Sequence, residues 1–397
     1  MPAHILVAGG GIGGLAAALA LSRRGHRADV FEQAAAFAEI GAGVQLGPNV
    51  TRRLRQLDLD MGLAAIAARP DALVVHSAES GAELARMPLG DTMQQRYGAP
   101  YVCVHRADLH GLLLDAVRAR GNGTLVTAAR IQQVETSDDL VCLSSTDARA
   151  WEGEAIVGAD GLWSIVRRQL DTPLADEPPR VTGHTAWRAM AEQAHLPAAL
   201  RRTQVHVWLG PRLHAVAYPV RGGNWLNVVV IAESAPAGDA RDARDWDQSG
   251  SIAALKQAMG RSCAGLQALL DAMPAWRAWS LGDRAPMTSA ADMAHERVAL
   301  VGDAAHPMVP YLAQGAGMAI EDAVALADTL GDGSAVDVPA AFARYAEARW
   351  PRNAQVQARA RRNGEIFHAT GAVRLGRDMA MRVLGARLLD QPWLYGG

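Results

Sequence analysis

Short apolar runs closed by glycine-rich turns alternate along this chain with stretches of helical period. That rhythm predicts an α/β fold. Residues 4–8 read as a buried strand, 15–24 as a helix of small and apolar side chains, and 28–31 as a second strand. A glycine-rich loop over 39–49 leads into a helix over 50–57. The runs 72–76 and 82–87 flank Glu79-Ser80-Gly81 as a hairpin. A strand over 101–104 precedes a helix over 109–118, and further strands fall at 125–129 and 155–161. Asp160-Gly161 closes the last of these, with Ser164 and Arg167 spaced along a following helix. Between 172 and 282 the pattern changes. Strands at 205–209, 214–218 and 225–231 are followed by a charged loop over 234–250 and helices at 252–259 and 263–273. A strand at 298–301 runs into Pro307 and Pro310, which forbid helix. Helical period resumes at Gly315, with Met318, Ile320, Ala323 and Leu326. Helices are expected over 338–357, with a solvated basic run at 359–362, and over 364–390.

The glycines add chemistry to this outline. Gly9-x-Gly11-x-x-Gly14 sits between the first strand and helix, and Glu32 ends the second strand. This is a dinucleotide fingerprint in its required strand–helix–strand context. Gly9 permits the sharp turn. Gly11, with Gly13 in the same loop, lets backbone N–H groups approach a pyrophosphate, and Gly14 lets helix and strand pack closely. The Glu32 carboxylate can accept both hydroxyls of an adenosine ribose. Gly41 and Gly43, with Val44 beside them, either let backbone lie against a flat ligand or belong to an ordinary loop. Arg106 is either a phosphate or flavin contact or a surface arginine near a helix start.

Residues 302–322 carry the densest signal. Gly302-Asp303 ends a strand, and Gln314-Gly315-Ala316-Gly317 leaves backbone N–H groups at the positive end of a helix. Two readings are open: a cradle for a phosphate or a flavin ring, or a tightly packed βα turn. Asp303 suits the first only if it accepts hydrogen bonds from a ribityl chain.

Composition narrows the classes. Half of the 397 residues are hydrophobic and 20% are charged, enough for a sizeable core in one large or two ordinary domains. A formal net charge of −2 offers no basic field for nucleic acid or a membrane surface. Cys103, Cys142 and Cys263 are scattered and lack metal-ligand spacing, so a reduced, cytoplasmic, metal-free chain is expected. Residues 5–21 contain five glycines and follow no basic residue, unlike a signal peptide. No stretch of about 18 apolar residues is free of glycine breaks and charge, so no membrane helix is expected.

Strand periodicity places His214, Val216 and Tyr218 on one face. That face either lines a pocket for a small polar aromatic, with His214 and Tyr218 addressing one ring, or sets the histidine toward solvent.

Three motifs in order then support a resemblance: Gly9–Gly14 with Glu32, the run from Gly158 to Arg167 through Asp160-Gly161, and Gly302-Asp-Ala-Ala-His-Pro307. From residue 4 to about 350 the chain resembles single-component FAD-dependent aromatic hydroxylases, the group of para-hydroxybenzoate, salicylate and 3-hydroxybenzoate hydroxylases. The resemblance implies a Rossmann-type FAD-binding domain from 1–72, 100–171 and 283–355. It implies an inserted β-sheet substrate domain from 73–99 and 172–282, and C-terminal helices over 356–397. It implies contacts to FAD from Asp303, Arg106 and the helix start at Pro310, Gln314, Gly315, Ala316 and Gly317. Asp160 and Arg167 would serve both FAD and NADH or NADPH. His214-x-x-x-Tyr218-Pro and Tyr311-x-x-Gln314 look most like the salicylate and 3-hydroxybenzoate 6-hydroxylase branch.

The implied reaction hydroxylates a monohydroxybenzoate with NAD(P)H and O2 through a flavin C4a-hydroperoxide. An electrophilic oxygen needs an electron-rich ring, so His214 or Tyr218 would deprotonate or hydrogen-bond the phenol. The helix start would hold negative charge on the flavin. A 6-hydroxynicotinate-type hydroxylase carries the same His and Tyr but commonly has histidine where this chain has Tyr311. A halogenase needs a tunnel lysine, and the only lysine is Lys256. A flavoprotein oxidoreductase or an FAD-binding regulator without hydroxylation completes the alternatives. The partners expected are a small aromatic acid and O2, in a monomer or homodimer.

Overall fold

A computed structural model describes residues 2–38, 41–233, 248–333 and 337–396. Most of the expected charged loop, 234–247, and the start of the glycine-rich loop, residues 39 and 40, lie outside the described residues.

A six-stranded sheet carries the glycine motifs. Its order is Ala294–His295, Val298–Leu300, Ala155–Gly158, His4–Ala8, Arg27–Phe31, Leu125–Val126. All neighbours are parallel except the antiparallel edge pair Ala294–His295 and Val298–Leu300. These strands are apolar runs because both faces are covered. Helix Ile12–Arg23 packs between helices Gly315–Leu330 and Arg106–Arg120. Its alanines make this close approach possible; a Cβ on Gly13 would meet Ala319 at 3.4 Å. An antiparallel ribbon, Ile131–Thr136, Val141–Ser145 and Ala150–Gly153, adds Val134, Val141 and Leu143 to the same core.

The second sheet has eight strands in the order Gln248–Gly250, Trp276–Asp283, Arg180–Glu192, Trp225–Glu233, Leu213–Val220, Val205–Gly210, Ala72–Ser77, Glu83–Pro88. The 72–88 hairpin joins it through a parallel pairing of Ala72–Ser77 with Val205–Gly210. Alternation divides its faces. Ala215, Ala217, Val228 and Val230 pack toward helices Ile252–Met259 and Ala264–Asp271. Val216, Tyr218, Val229 and Ile231 face segments 308–318 and 356–367.

Several expectations change. Residues 164–167 form no regular α-helix; only a single 3-10 turn, Val166–Gln169, follows the strand. The expected strand at 125–129 shrinks to Leu125–Val126. Residues 248–250 of the expected loop pair as an edge strand. The long helix runs from Val338 to Phe367 past Pro351, so the run 359–362 lies inside it. Arg361 there pairs with Asp283 at 2.7 Å rather than standing in solvent. Strands Arg180–Glu192, with three alanines, and Trp276–Asp283 arise from mixed-polarity segments without a strong β signal.

Candidate functional site

The Rossmann loop is shaped by what a side chain would strike. Gly9 has φ +108°, and a Cβ there would lie 3.0 Å from the Asp160 nitrogen. A Cβ on Gly14 would reach Gly9 itself. Gly11 is the N-cap of helix Ile12–Arg23 and supplies no side-chain cap. The first-turn N–H groups therefore remain available to an anion. Glu32 Oε2 accepts the Gly10 N–H at 2.9 Å and Oε1 the Ala34 N–H at 2.8 Å. A carboxylate has about four acceptor positions, so capacity remains for a ribose.

Asp160 Oδ2 accepts the amides of Ile165 (2.8 Å) and Val166 (3.2 Å), while Oδ1 is sealed without a partner. Burial raises its carboxyl above the ordinary range, against hydrogen bonds from Ser164 and those amides. Arg167 is 1% exposed. Its guanidinium donates to the carbonyls of Ala304 (3.0 Å), Ala305 (2.7 Å) and Leu174 (3.3 Å). Burial lowers its pKa to about 10. Arg167 thus ties the Asp160 turn to the segment after Gly302 from inside the protein. Asp303 is exposed beside the start of helix Gly315–Leu330; its Oδ1 lies 3.8 Å from a Cβ built on Gly315. The Arg106 amide donates to the Ala42 carbonyl at 2.8 Å, joining its helix to the glycine loop.

Helix Gly315–Leu330 begins at Gln314, again without a side-chain cap. Pro310 is exposed at the near end of the turn Pro310–Leu312. Gly317 is buried, where a Cβ would strike Val50 at 2.6 Å. Beneath the helix lies a charged network. Asp322 accepts from Arg349 (2.8 Å), Asn353 (2.9 Å) and the Gly302 amide (3.1 Å), and pairs with His306 at 2.5 Å. Glu321 pairs with Arg349 (2.9 Å) and Arg352 (2.7 Å). Asn49 donates to both Glu321 (2.8 Å) and Gln314 (3.0 Å). Arg352 also donates to the carbonyls of Trp393 and Leu394, and Arg52 to that of Tyr395.

The second sheet brings the aromatic and imidazole groups. His214 is 3% exposed and Tyr218 4%, so neither faces solvent. They occupy different neighbourhoods. His214 packs edge-on to Tyr311, ring centroids 5.2 Å apart, and its Nδ1 meets His368 Nε2 at 2.8 Å. Tyr218 lies under Gly43, where a Cβ would fall 2.9 Å from its hydroxyl. Gln45, which accepts from Tyr101 at 2.6 Å, also bonds Tyr218. Four residues of strand span about 13 Å, so a single ring flanked by both side chains, which needs a spacing near 7 Å, is not what the sheet offers. Burial holds the His214 imidazole well below its ordinary pKa and both Tyr218 and Tyr311 well above theirs. At neutral pH these groups are an uncharged imidazole and two intact hydroxyls. The Tyr311 hydroxyl is sealed without a partner.

Four further residues at this site escaped sequence reasoning. Asn227, an amide inside the apolar run 225–231, accepts the Gly43 N–H at 2.8 Å. Its polarity within that run was the available signal. Gln45 lies in the glycine-rich loop with no distinguishing pattern. His184 and His368 sit on the unrecognised strand and at a helix end, and only tertiary structure brings them to Tyr311, with centroids 6.0 and 5.5 Å away.

The residues fit a flavin dinucleotide. Two uncapped helix starts, the Glu32 carboxylate, the orphaned Asp160 Oδ1 and exposed Asp303 are the polar groups it could use. Gly9, Gly11, Gly13, Gly43, Val44, Arg106, Gly315 and Ala316 are all partly exposed, while the residues behind them are buried. Helix starts open to a dinucleotide, with a buried His214–Tyr311 contact in the second sheet, are the equipment of a flavin-dependent oxidoreductase.

The family model described as "FAD binding domain" matches residues 3–360, and the chain belongs to that family. It is 38% identical over 395 residues to "3-hydroxybenzoate 6-hydroxylase" of Polaromonas naphthalenivorans, covering 99% of this chain and 95% of that one. It is 38% identical over 394 residues to "3-amino-4-hydroxybenzoate 2-monooxygenase PtmB3" of Streptomyces platensis, with 99% and 96% coverage. Klebsiella pneumoniae HpxO, solved with FAD and uric acid, superposes with a TM-score of 0.84 at 25% identity, covering 97% and 94%. The chain is an FAD-dependent aromatic-ring monooxygenase. No helix among the described residues is long and apolar enough to cross a membrane.

Proposed function

We propose that this protein hydroxylates a monohydroxybenzoate of the 3-hydroxybenzoate or salicylate type, with NADH or NADPH and O2 as co-substrates. The observation that carries the proposal is the meeting of His214 and Tyr311 at 5.2 Å, three residues before the uncapped helix start at Gln314. FAD, when bound, supplies hydride acceptance and oxygen activation. The chain supplies the rest. The N–H groups of Gly315–Gly317 face negative charge at the helix's positive end. His214, uncharged and buried, receives the phenolic proton and leaves the ring electron-rich. Tyr311, edge-on to His214, keeps its proton and acts as a donor to the substrate's oxygens. Apolar neighbours Val216, Val229 and Ile231 exclude water. The site works in a cytoplasmic monomer or homodimer.

The test is oxygen uptake and product analysis with NADH or NADPH and a panel of hydroxybenzoates and 6-hydroxynicotinate. Substrate-dependent hydroxylation of a hydroxybenzoate is expected, and His214→Ala lowers it by about two to four orders of magnitude. Turnover of the pyridine alone, or NAD(P)H oxidation indifferent to every aromatic, overturns the proposal.

A further inference from the structure

The pocket's imidazoles continue from His214 toward the surface. His214 Nδ1 and His368 Nε2 are 2.8 Å apart. The rings of His368 and His184 lie 4.9 Å apart. A ring nitrogen of His184, one of His368 and a carboxylate oxygen of Glu233 all lie within 4.8 Å of one another. His184 and Glu233 are direct partners on adjacent strands, so the backbone fixes their approach. Exposure rises along the series: His214 and His368 are buried, His184 is half-buried and Glu233 is exposed. The sealed Nδ1 of His368 has no hydrogen-bond partner among the described residues.

We propose that His368 is a positioning residue that carries the substrate's phenolic proton from His214 toward Glu233 and solvent, and thereby sets the tautomer His214 presents to the phenol. This rests on the reading of His214 as the group that receives that proton. The phenolic O–H bond breaks and its proton joins His214 Nε2, leaving the electron pair on the phenolate. The His214 Nδ1–H proton passes to His368 Nε2. The His368 Nδ1–H proton then passes through one water toward Glu233, a carboxylate oxygen of which lies within 4.8 Å of a His368 ring nitrogen. Each imidazole ends neutral with its proton on the other nitrogen, and no electron changes hands.

Burial explains why such an exit is needed. An imidazolium at 214 is disfavoured first by desolvation and then by His368 and His184. A base that cannot keep its proton must pass it on. His368 is held down to about 3 by burial, His184 and Arg377, so it transmits the proton rather than storing it. The other charged and titratable groups facing the pair are Tyr311, Glu233 and Arg212, the last 3.7 Å from Glu233.

The experiment uses the FAD-loaded enzyme with EDTA present and 3-hydroxybenzoate as the probe. His368→Gln places an amide near the former Nε2, which preserves the hydrogen bond to His214 but cannot shuttle a proton. FAD content and KM are expected to stay within about threefold of wild type, while kcat for hydroxylation falls about 100-fold near neutral pH. That loss shrinks as pH rises and the phenol ionises unaided. The ultraviolet difference spectrum of the bound probe shifts from phenolate to phenol. Glu233→Gln gives a smaller loss in the same direction. A His368→Gln enzyme with the wild-type pH profile and phenolate spectrum overturns the relay, as does a loss of activity that does not vary with pH. If His214→Ala abolishes the phenolate signal and His368→Gln does not, the role of His214 stands and the relay fails. If wild type neither ionises nor hydroxylates the probe, both fall.

Discussion

Replacing Asp322 with Asn should destabilise helix Gly315–Leu330 and its packing. Asp322 is 0% exposed and accepts from Arg349, Asn353, His306 and the Gly302 amide. Burial pushes its carboxyl up, but His306 and Arg349 outweigh that and hold it below the ordinary carboxylate range. Removing one member of a buried pair costs about 3–5 kcal/mol. For a chain of 397 residues the entropy of unfolding is about 0.8 kcal/mol per kelvin. A loss of about 4 kcal/mol therefore lowers the melting temperature by about 5 °C. The sign of the pH dependence follows from the lowered folded pKa. The Asp322 contribution is present above the unfolded value, about 3.9, and is lost as pH falls through the folded value. The melting-temperature gap between wild type and Asp322→Asn should stay constant from about pH 6 to 8 and narrow below about pH 4. Adding Arg349→Met to Asp322→Asn should cost less than Arg349→Met alone, by about 1 kcal/mol or more. Calorimetry on the FAD-loaded protein reads all three. A melting temperature within 1 °C of wild type at neutral pH, or strictly additive variants, would refute the reasoning.

Asp303→Ala should weaken FAD retention, read as flavin absorbance per protein after gel filtration; full occupancy counts against a cofactor contact there. Arg167→Ala leaves the buried carbonyls of Ala304 and Ala305 and the part-buried one of Leu174 without their donor. It should lower FAD content and melting temperature together, whereas slower flavin reduction at full FAD content and stability would instead mark a nicotinamide contact. Gly43→Ala drives a methyl into the Tyr218 ring. It should raise hydrogen peroxide formed per NAD(P)H consumed, with overpacking of about 1–3 kcal/mol; unchanged coupling would place Tyr218 away from the chemistry.

Local pattern made part of this molecule legible. The strand–glycine–helix unit around Gly9–Gly14 depends on neighbours in sequence, and the Gly302–Gly317 segment likewise announces its own turn and helix start. The strand carrying His214 and Tyr218 alternates cleanly because one face meets helices and the other segments 308–318 and 356–367. Arg180–Glu192 did not announce itself, since its alanines are chosen by close packing at Ala186 and Ala189 rather than by strand propensity. The separation of His214 from Tyr218 follows from the strand rise alone, but the pairing of His214 with His368 arises where a helix end 154 residues away closes on the sheet. No local spacing encodes that contact. The burial of Arg167 was illegible for the same reason: the carbonyls that receive it lie 137 and 138 residues further on.

The clamp beneath the flavin-side helix also orders events during synthesis. Asn49 and Arg52 are made early, yet the carbonyl that receives Arg52 belongs to Tyr395, 343 residues later. Arg352, which holds Glu321, likewise awaits Trp393 and Leu394. A nascent chain that already possesses its Rossmann loop still lacks the parts that set Gln314 and Gly315. The contacts that brace this side of the site from Arg52 and Arg352 therefore close only once residues 393–395 have been made.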